Sequence, residues 1–150
     1  MPEIVQNVHI NAPVEKVYAV ARDVEAFPQY MDDLQSLTVL ERSEDNKRTV
    51  TAWVGIIREF KMNIKWTQED VWDDSAHTDV FKMIQGDMDS MSGVWRFIPE
   101  EGGTRFESEV SYEFDVPLIG PMVKNLIRKK MTENLQATMQ AIKGCAERAE

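Results

Sequence analysis

Four polar side chains stand on faces that should otherwise be apolar. In the stretch TRFESEVSYEF (104–114), Phe106, Ser108, Val110, Tyr112 and Phe114 alternate with Glu107, Glu109, Ser111 and Glu113. Period two with one polar face is a half-buried antiparallel strand, so Ser108 and Tyr112 turn inward among rings. In FKMNIKWTQED (60–70) the same rule puts Phe60, Met62, Ile64, Trp66, Gln68 and Asp70 on one side. Inward hydroxyls such as those of Ser108 and Tyr112 can donate hydrogen bonds to a ligand carbonyl or hydroxyl. An inward carboxyl without a partner has its pKa raised and can give or take a proton. Asp70, Tyr112 and Ser108 are thus the candidate catalytic groups. Gln68 and Asp70 fall near polar loops, where solvent can satisfy them equally.

Other chemistry is thinly represented. His9 and His77 read as lying on different strands, with no cysteine beside them and no metal-ligand spacing, which predicts no bound metal. No nucleophile elbow, phosphate-binding loop or dinucleotide fingerprint occurs, and no cofactor is implied. Cys145 reads as a small apolar packer near the last turn of a helix.

The elements that must position these groups follow from the hydrophobic periods. EIVQNVHI (3–10) reads as a strand. NAPVEKVYAVARD then opens a helix, with Pro13 near its first turn and Val14, Val17, Tyr18 and Ala21 on one face. DVEAFPQYMDDL continues as a short second helix or turn, with Asp23 as its cap and Pro28 straining it. Strand-like runs follow at 34–43, 47–57, 59–72, 76–86, 91–98 and 104–114, separated by turn residues in SEDNK, DDS, GDMDS and EEGG. From Pro121 the period changes: Val123, Ile127, Met131, Leu135, Thr138, Met139, Ile142 and Cys145 form one face of a long helix. A strand, two short helices, six strands and a long helix make an α+β architecture in one domain, 1–150.

A meander alternates its loops between the two ends of the sheet. The loops at 43–47, 73–75 and 99–103 share one end and are polar. Those at 56–59, 86–90 and 115–121 share the other, and carry Ile56, Ile57, Met88, Leu118 and Ile119. Such residues either pack on one another and the final helix or rim an opening.

Composition sets the outer bounds. With 150 residues and 43% apolar content, the chain can build a sizeable core without staples. A single cysteine fits a reducing compartment, and MPEIVQNVHI carries no readable signal peptide, so a cytoplasmic location is expected. A net charge of −9 opposes DNA binding. The basic run KNLIRKK (Lys124, Arg128, Lys129, Lys130) reads as the solvated side of a helix, or as a contact with an anionic membrane or RNA.

The order of motifs resembles a known superfamily. VHINAPVEKVYAVARDVEAFPQYM is similar to the opening of START-like (SRPBCC, polyketide cyclase/dehydrase) proteins. GDMDSMSGVWRF, GGTRFESEVSYEF and PLIGP resemble the family's paired strands and lead-in to its last helix. The resemblance covers essentially the whole chain and implies a helix-grip fold: a curved seven-stranded antiparallel sheet around the long C-terminal helix, enclosing a deep apolar cavity. In GVWRF and YEFDVPLIG it extends to the coenzyme-Q-binding branch. Aromatic polyketide cyclases of this type carry an arginine four residues past a tryptophan on the fourth strand. Measured from Trp66, this chain has Asp70 there, a reversal of charge that weakens the cyclase reading.

A lipophilic ligand (a quinone, lipid or polyketide-like aromatic) is the expected partner. Its predicted contacts are Phe27 and Tyr30, with Met31 beside them, from the second short helix. From the strands they are Met62, Ile64, Trp66, Phe81, Met83, Met91, Trp95, Phe97, Phe106, Ser108, Val110 and Tyr112, and from the long helix Met122, Leu126, Met131 and Leu135. Thioethers and flat rings suit an irregular apolar pocket. The alternatives are a cyclase or dehydratase using Asp70, Tyr112 and Ser108, or a protein-interaction role like that of ribosome-associated toxin-like members. Peripheral membrane contact through the basic helix start would accompany ligand collection.

Overall fold

The alternating runs become seven strands of one antiparallel sheet, here in a computed structural model that describes residues 3–31, 34–57, 61–113 and 121–148. In chain order these are β1 (Glu3–Ile10), β2 (Leu34–Arg42), β3 (Arg48–Ile57), β4 (Met62–Asp73), β5 (Thr78–Gly86), β6 (Ser90–Glu100) and β7 (Gly103–Glu113). Helix α1 (Val14–Arg22), a 3-10 turn (Val24–Ala26) and helix α2 (Phe27–Tyr30) lie between β1 and β2. Helix α3 (Pro121–Glu147) follows β7. The strand order is β1-β7-β6-β5-β4-β3-β2, a meander with β1 returned to its far edge, and the architecture is the helix-grip fold. Expectations placed on Phe60, Phe114, Leu118 and Ile119 lie outside the described residues, as do the side chains of Ile57, Met62 and Val123.

Alternation predicts the inward faces well. In β7 every second residue from Thr104 to Tyr112 is buried, and in β4 so are Ile64, Gln68, Asp70 and Trp72, with Trp66 half-buried. Helix α1 buries Val14, Val17, Tyr18 and Ala21, the face read from its spacing. Three local readings need correction. Residues 74–77 form a turn, so β5 starts at Thr78, and His77 lies in that turn with φ 55° rather than on a strand. Its carbonyl accepts a hydrogen bond from the Phe97 amide at 3.0 Å, and its ring packs on Tyr18. Asp23 makes no side-chain cap; it closes α1 through its backbone N–H instead.

Helix α3 is seated by its C-terminal half. Met139, Ile142 and Ala146 are buried at three- and four-residue spacing, and among the described elements α3 packs chiefly on α1 and β1. Polar contacts reinforce that end. Glu147 accepts from the Asn11 amide at 2.8 Å and from Lys143 Nζ at 2.6 Å, while Lys143 Nζ also donates to the His9 carbonyl at 2.9 Å. Nearer the other half, Gln6 Nε2 donates to the Thr132 carbonyl at 3.3 Å. In the N-terminal turns of α3 Ile127 is buried, while Met122, Lys124, Asn125, Leu126, Arg128 and Lys129 are exposed.

Candidate functional site

Between the sheet, the α2 region and the middle of α3 lies a cavity of about 510 Å³. Its wall is built from inward positions of β3 to β7 (Trp53, Ile64, Trp66, Phe81, Met91, Trp95 and Val110), from Phe27, Tyr30 and Met31 around α2, and from α3 residues at helical spacing. The α3 set (Met131, Asn134, Leu135, Thr138 and Ala141) follows the three- and four-residue period of one helix face. Ala137 and Gln140, also in the wall, are exposed, and Tyr30, Leu34 and Ile56 are half-exposed; the cavity meets solvent there. Met88, from the loop between β5 and β6, is buried against it.

Close backbone approaches shape the wall. A Cβ on Gly93 would stand 2.7 Å from Phe81 Cζ, so only glycine lets that ring lie over β6. Trp53 and Trp66, directly paired across β3 and β4, stack with centroids 5.5 Å apart and an interplanar angle of 13°. Phe27 meets Trp53 edge-on at 6.1 Å.

Inside this apolar shell runs a chain of polar groups. Trp66 Nε1 donates to Gln68 Oε1 at 2.8 Å, and Gln68 Nε2 donates to Asp70 Oδ1 at 2.9 Å. Asp70 is hydrogen-bonded in turn to Asp79 of β5. Both carboxyls line the cavity and are almost wholly buried, at 3% and 2% exposure. Burial pushes the Asp70 pKa up, and pushes that of Asp79 well above the usual carboxylate range, where the charge of Asp70 and the bond to it add to the effect. Two carboxylates this close cannot both ionise in a low-dielectric site. The pair therefore shares a proton, and the Gln68 amide stabilises charge on Asp70.

Two buried side-chain atoms of residues that line the cavity lack a hydrogen-bond partner. They are Asp79 Oδ1 and Trp95 Nε1. Asp79 and Trp95 lie directly opposite each other across β5 and β6, so both atoms belong to one cross-strand pair.

The predicted contacts divide. Phe27, Tyr30, Ile64, Trp66, Phe81, Met91, Trp95, Val110, Met131 and Leu135 line the cavity, as does Asp70. Phe97, Phe106, Ser108 and Tyr112 are buried but stand outside the wall. Phe97 and Phe106 pack on each other at 4.5 Å and on Trp95 at 6.4 and 5.1 Å, so rings occupy the space the prediction left for ligand. Met83 is half-buried against the core without reaching the cavity. Leu126 and Met122 are exposed, Met122 at 83%, and stand outside the wall. Sequence reasoning missed Asp79 and Trp53. Asp79 shares the parity of Phe81 and Met83 and could have been found by extending their alternation two residues back. Burial also raises the phenol pKa of Tyr30, in the wall, and of Tyr112, outside it. Among the described residues no cluster of three potential ligands is placed to hold a metal, and no helix is long and apolar enough to cross a membrane.

Comparison with known proteins agrees with this geometry. Curated proteins give no match. Among solved structures, TTHA0849 from Thermus thermophilus superposes with a TM-score of 0.90 at 32% identity, over 97% of each chain. The Zhui aromatase/cyclase from Streptomyces sp. R1128 follows at 0.82 and 18%, over 98% of this chain and 94% of that one. A START superfamily protein from Mycobacterium smegmatis gives 0.78 and 20%, over 97% of each chain. At those lower identities the likeness is one of fold. The family model described as polyketide cyclase / dehydrase and lipid transport matches residues 10–139. With that match running from the end of β1 to the buried turns of α3, the chain belongs to this family of START-like proteins.

Proposed function

We propose that the protein binds a lipophilic small molecule, a quinone, lipid or polyketide-like aromatic, in the cavity between the sheet and the middle of α3. The observation that carries this reading is the cavity itself: about 510 Å³ of apolar space with a few convergent polar groups, in the size range of small-molecule sites. Native mass spectrometry of the purified protein, compared with its denatured mass, tests it. A reproducible excess of a few hundred daltons lost on denaturation is the expected result. A bare protein that also takes up no apolar probe would overturn it.

The carboxyl pair favours a second reading, a cyclase or dehydratase. An enolisable substrate needs a base at carbon and an acid at oxygen, and Asp70 and Asp79 offer both in one place. Ser108 and Tyr112 stand outside the wall, which leaves the proton handling to this pair. Full turnover of a poly-β-keto substrate by both Asp70→Asn and Asp79→Asn would sink this reading without touching the first. Membrane contact would complement ligand uptake, and the exposed Met122 and Leu126 beside Arg128 and Lys129 support it.

A further inference from the structure

We propose that Met88, in the loop between β5 and β6, sets how long a ligand the cavity accepts; this rests on the cavity being a ligand site. The loop reads GDMDS (86–90), and a methionine between two acids at a hairpin tip should stand in solvent. Asp87 and Asp89 do so. Met88 instead is 5% exposed and lines the cavity.

The backbone around it explains why. Paired register between β5 and β6 runs from Thr78↔Arg96 only as far as Lys82↔Ser92. Beyond that point β5 stays with β4, ending at Gly86↔Trp66, while β6 begins on β7, at Ser90↔Glu113. The loop crosses from one pair of strands to the other and is tied down on both sides. The Asp87 N–H donates to the Lys65 carbonyl at 2.8 Å, and the Lys65 N–H donates to Asp87 Oδ2 at 2.8 Å. On the other side the Asp89 N–H donates to the Glu113 carbonyl at 2.8 Å. A Cβ on Gly86 would stand 2.6 Å from Trp66 Cβ and 2.8 Å from the Lys65 carbonyl oxygen, so glycine lets the loop lie this close to β4. Met88, between the two anchors, closes the cavity where β5 and β6 part.

Position along the wall makes it a length gauge. Asp79 lies near the start of β5 and Met88 just past its end, on the order of 20 Å of strand apart. Gln68, Asp70 and Asp79 gather toward one end of that span, and Ile64, Met88 and Met91 stand toward the other. A ligand's polar end and apolar tail therefore sort to opposite ends, with the tail against Met88.

Straight-chain 4-alkylphenols from propyl to dodecyl, titrated by calorimetry into the wild type, Met88→Ala and Met88→Phe, test this. In the wild type each added methylene should tighten binding by about fourfold until the tail meets Met88, and then no further. Met88→Ala removes Cγ, Sδ and Cε, so that limit should move about two carbons outward and the longest chains should gain on the order of tenfold. Met88→Phe should move it inward, costing the same chains a comparable factor. Short homologues such as 4-propylphenol should bind all three proteins alike, which a merely structural role for Met88 would not give. If Met88→Ala does not fold, Met88→Val carries the same test with a smaller shift. An unchanged chain-length limit in the variants, or an equal loss for every homologue, overturns the role of Met88 and leaves the cavity reading standing. If the wild type binds no alkylphenol, the cavity reading falls and takes this inference with it.

Discussion

The two ends of the sheet interior use the same side-chain types to opposite effect. Under α1, Tyr18 meets Trp72 at 5.8 Å and Phe97 at 5.9 Å, and Phe97 leans on Phe106, a continuous edge-to-face and tilted ring cluster. Facing the middle of α3, Phe27, Trp53 and Trp66 also touch ring to ring, yet they border the cavity. Aromatic content does not separate a core from a pocket. What stands opposite the rings does. Met139, Ile142 and Ala146 of α3 are buried in the core, whereas Met131, Leu135, Thr138 and Ala141 of the same helix border the cavity.

The ends also differ electrostatically. At the packed end the carboxylates are partnered: the Tyr18 hydroxyl donates to Asp74 Oδ1 at 2.7 Å and, with Arg22, holds that carboxyl below its usual range. Glu147 is lowered likewise by the Asn11 amide and Lys143. In the hollow end Asp70 and Asp79 are raised. One set carries charge comfortably and the other resists it.

The largest expected effect tests the packing contrast. Phe106→Ala should cost about 3–5 kcal/mol in urea unfolding, the usual range for deleting a fully buried ring. Leu135→Ala, whose side chain already borders empty space, should cost roughly 1 kcal/mol, because few contacts are lost and little new void is created. Equal costs would mean that the hollow end is closed in solution.

Overfilling should split the ends the other way. Ser108→Trp should destabilise by about 1–3 kcal/mol or more, since Ser108 is buried outside the cavity among close-packed residues. Thr138→Trp puts its indole into the cavity and should leave stability within about 1 kcal/mol while blocking uptake of 2-naphthol. Loss of folding in Thr138→Trp, with Ser108→Trp tolerated, would reverse the assignment of filled and hollow.

The smallest effect is in the pH profile. A carboxyl with a raised folded-state pKa binds its proton more tightly when folded, so its contribution is fullest below the ordinary value of 3.8 and is lost as pH rises through the raised titration. Asp74, with a lowered pKa, contributes above that same value and loses its contribution as pH falls. Asp79→Asn should therefore raise stability at neutral pH and flatten the decline above pH 4, leaving the acid-side loss in place. An unchanged decline above pH 4 in thermal melts would show that the pair is solvated.

Much of the frame was legible in the residues. Period two assigned every strand and the inward face of β4 and β7, and the three- and four-residue period marked α3. Strand ends were less legible: His77 continues an apparent strand in sequence but takes a left-handed conformation in a turn, which periodicity does not encode. Asp79 was overlooked because an acid near the start of a predicted strand reads as solvent-facing, although its parity placed it inward. Sequence distance also hid the Asp70–Asp79 relation, since register decides which two carboxyls meet.

Trp95, Phe97 and Phe106 mark the limit most clearly. All three lie on inward faces, and nothing local distinguishes the one that borders the cavity from the two that fill the core. What the residue order determined by itself was the alternation of faces, the fold class and the chemical types available inside, because side-chain direction in a strand or helix is a property of the local backbone. What only the tertiary structure decided was where those types meet helix and where they meet space. That depends on how α3 docks against α1 and β1, through contacts between residues more than a hundred positions apart.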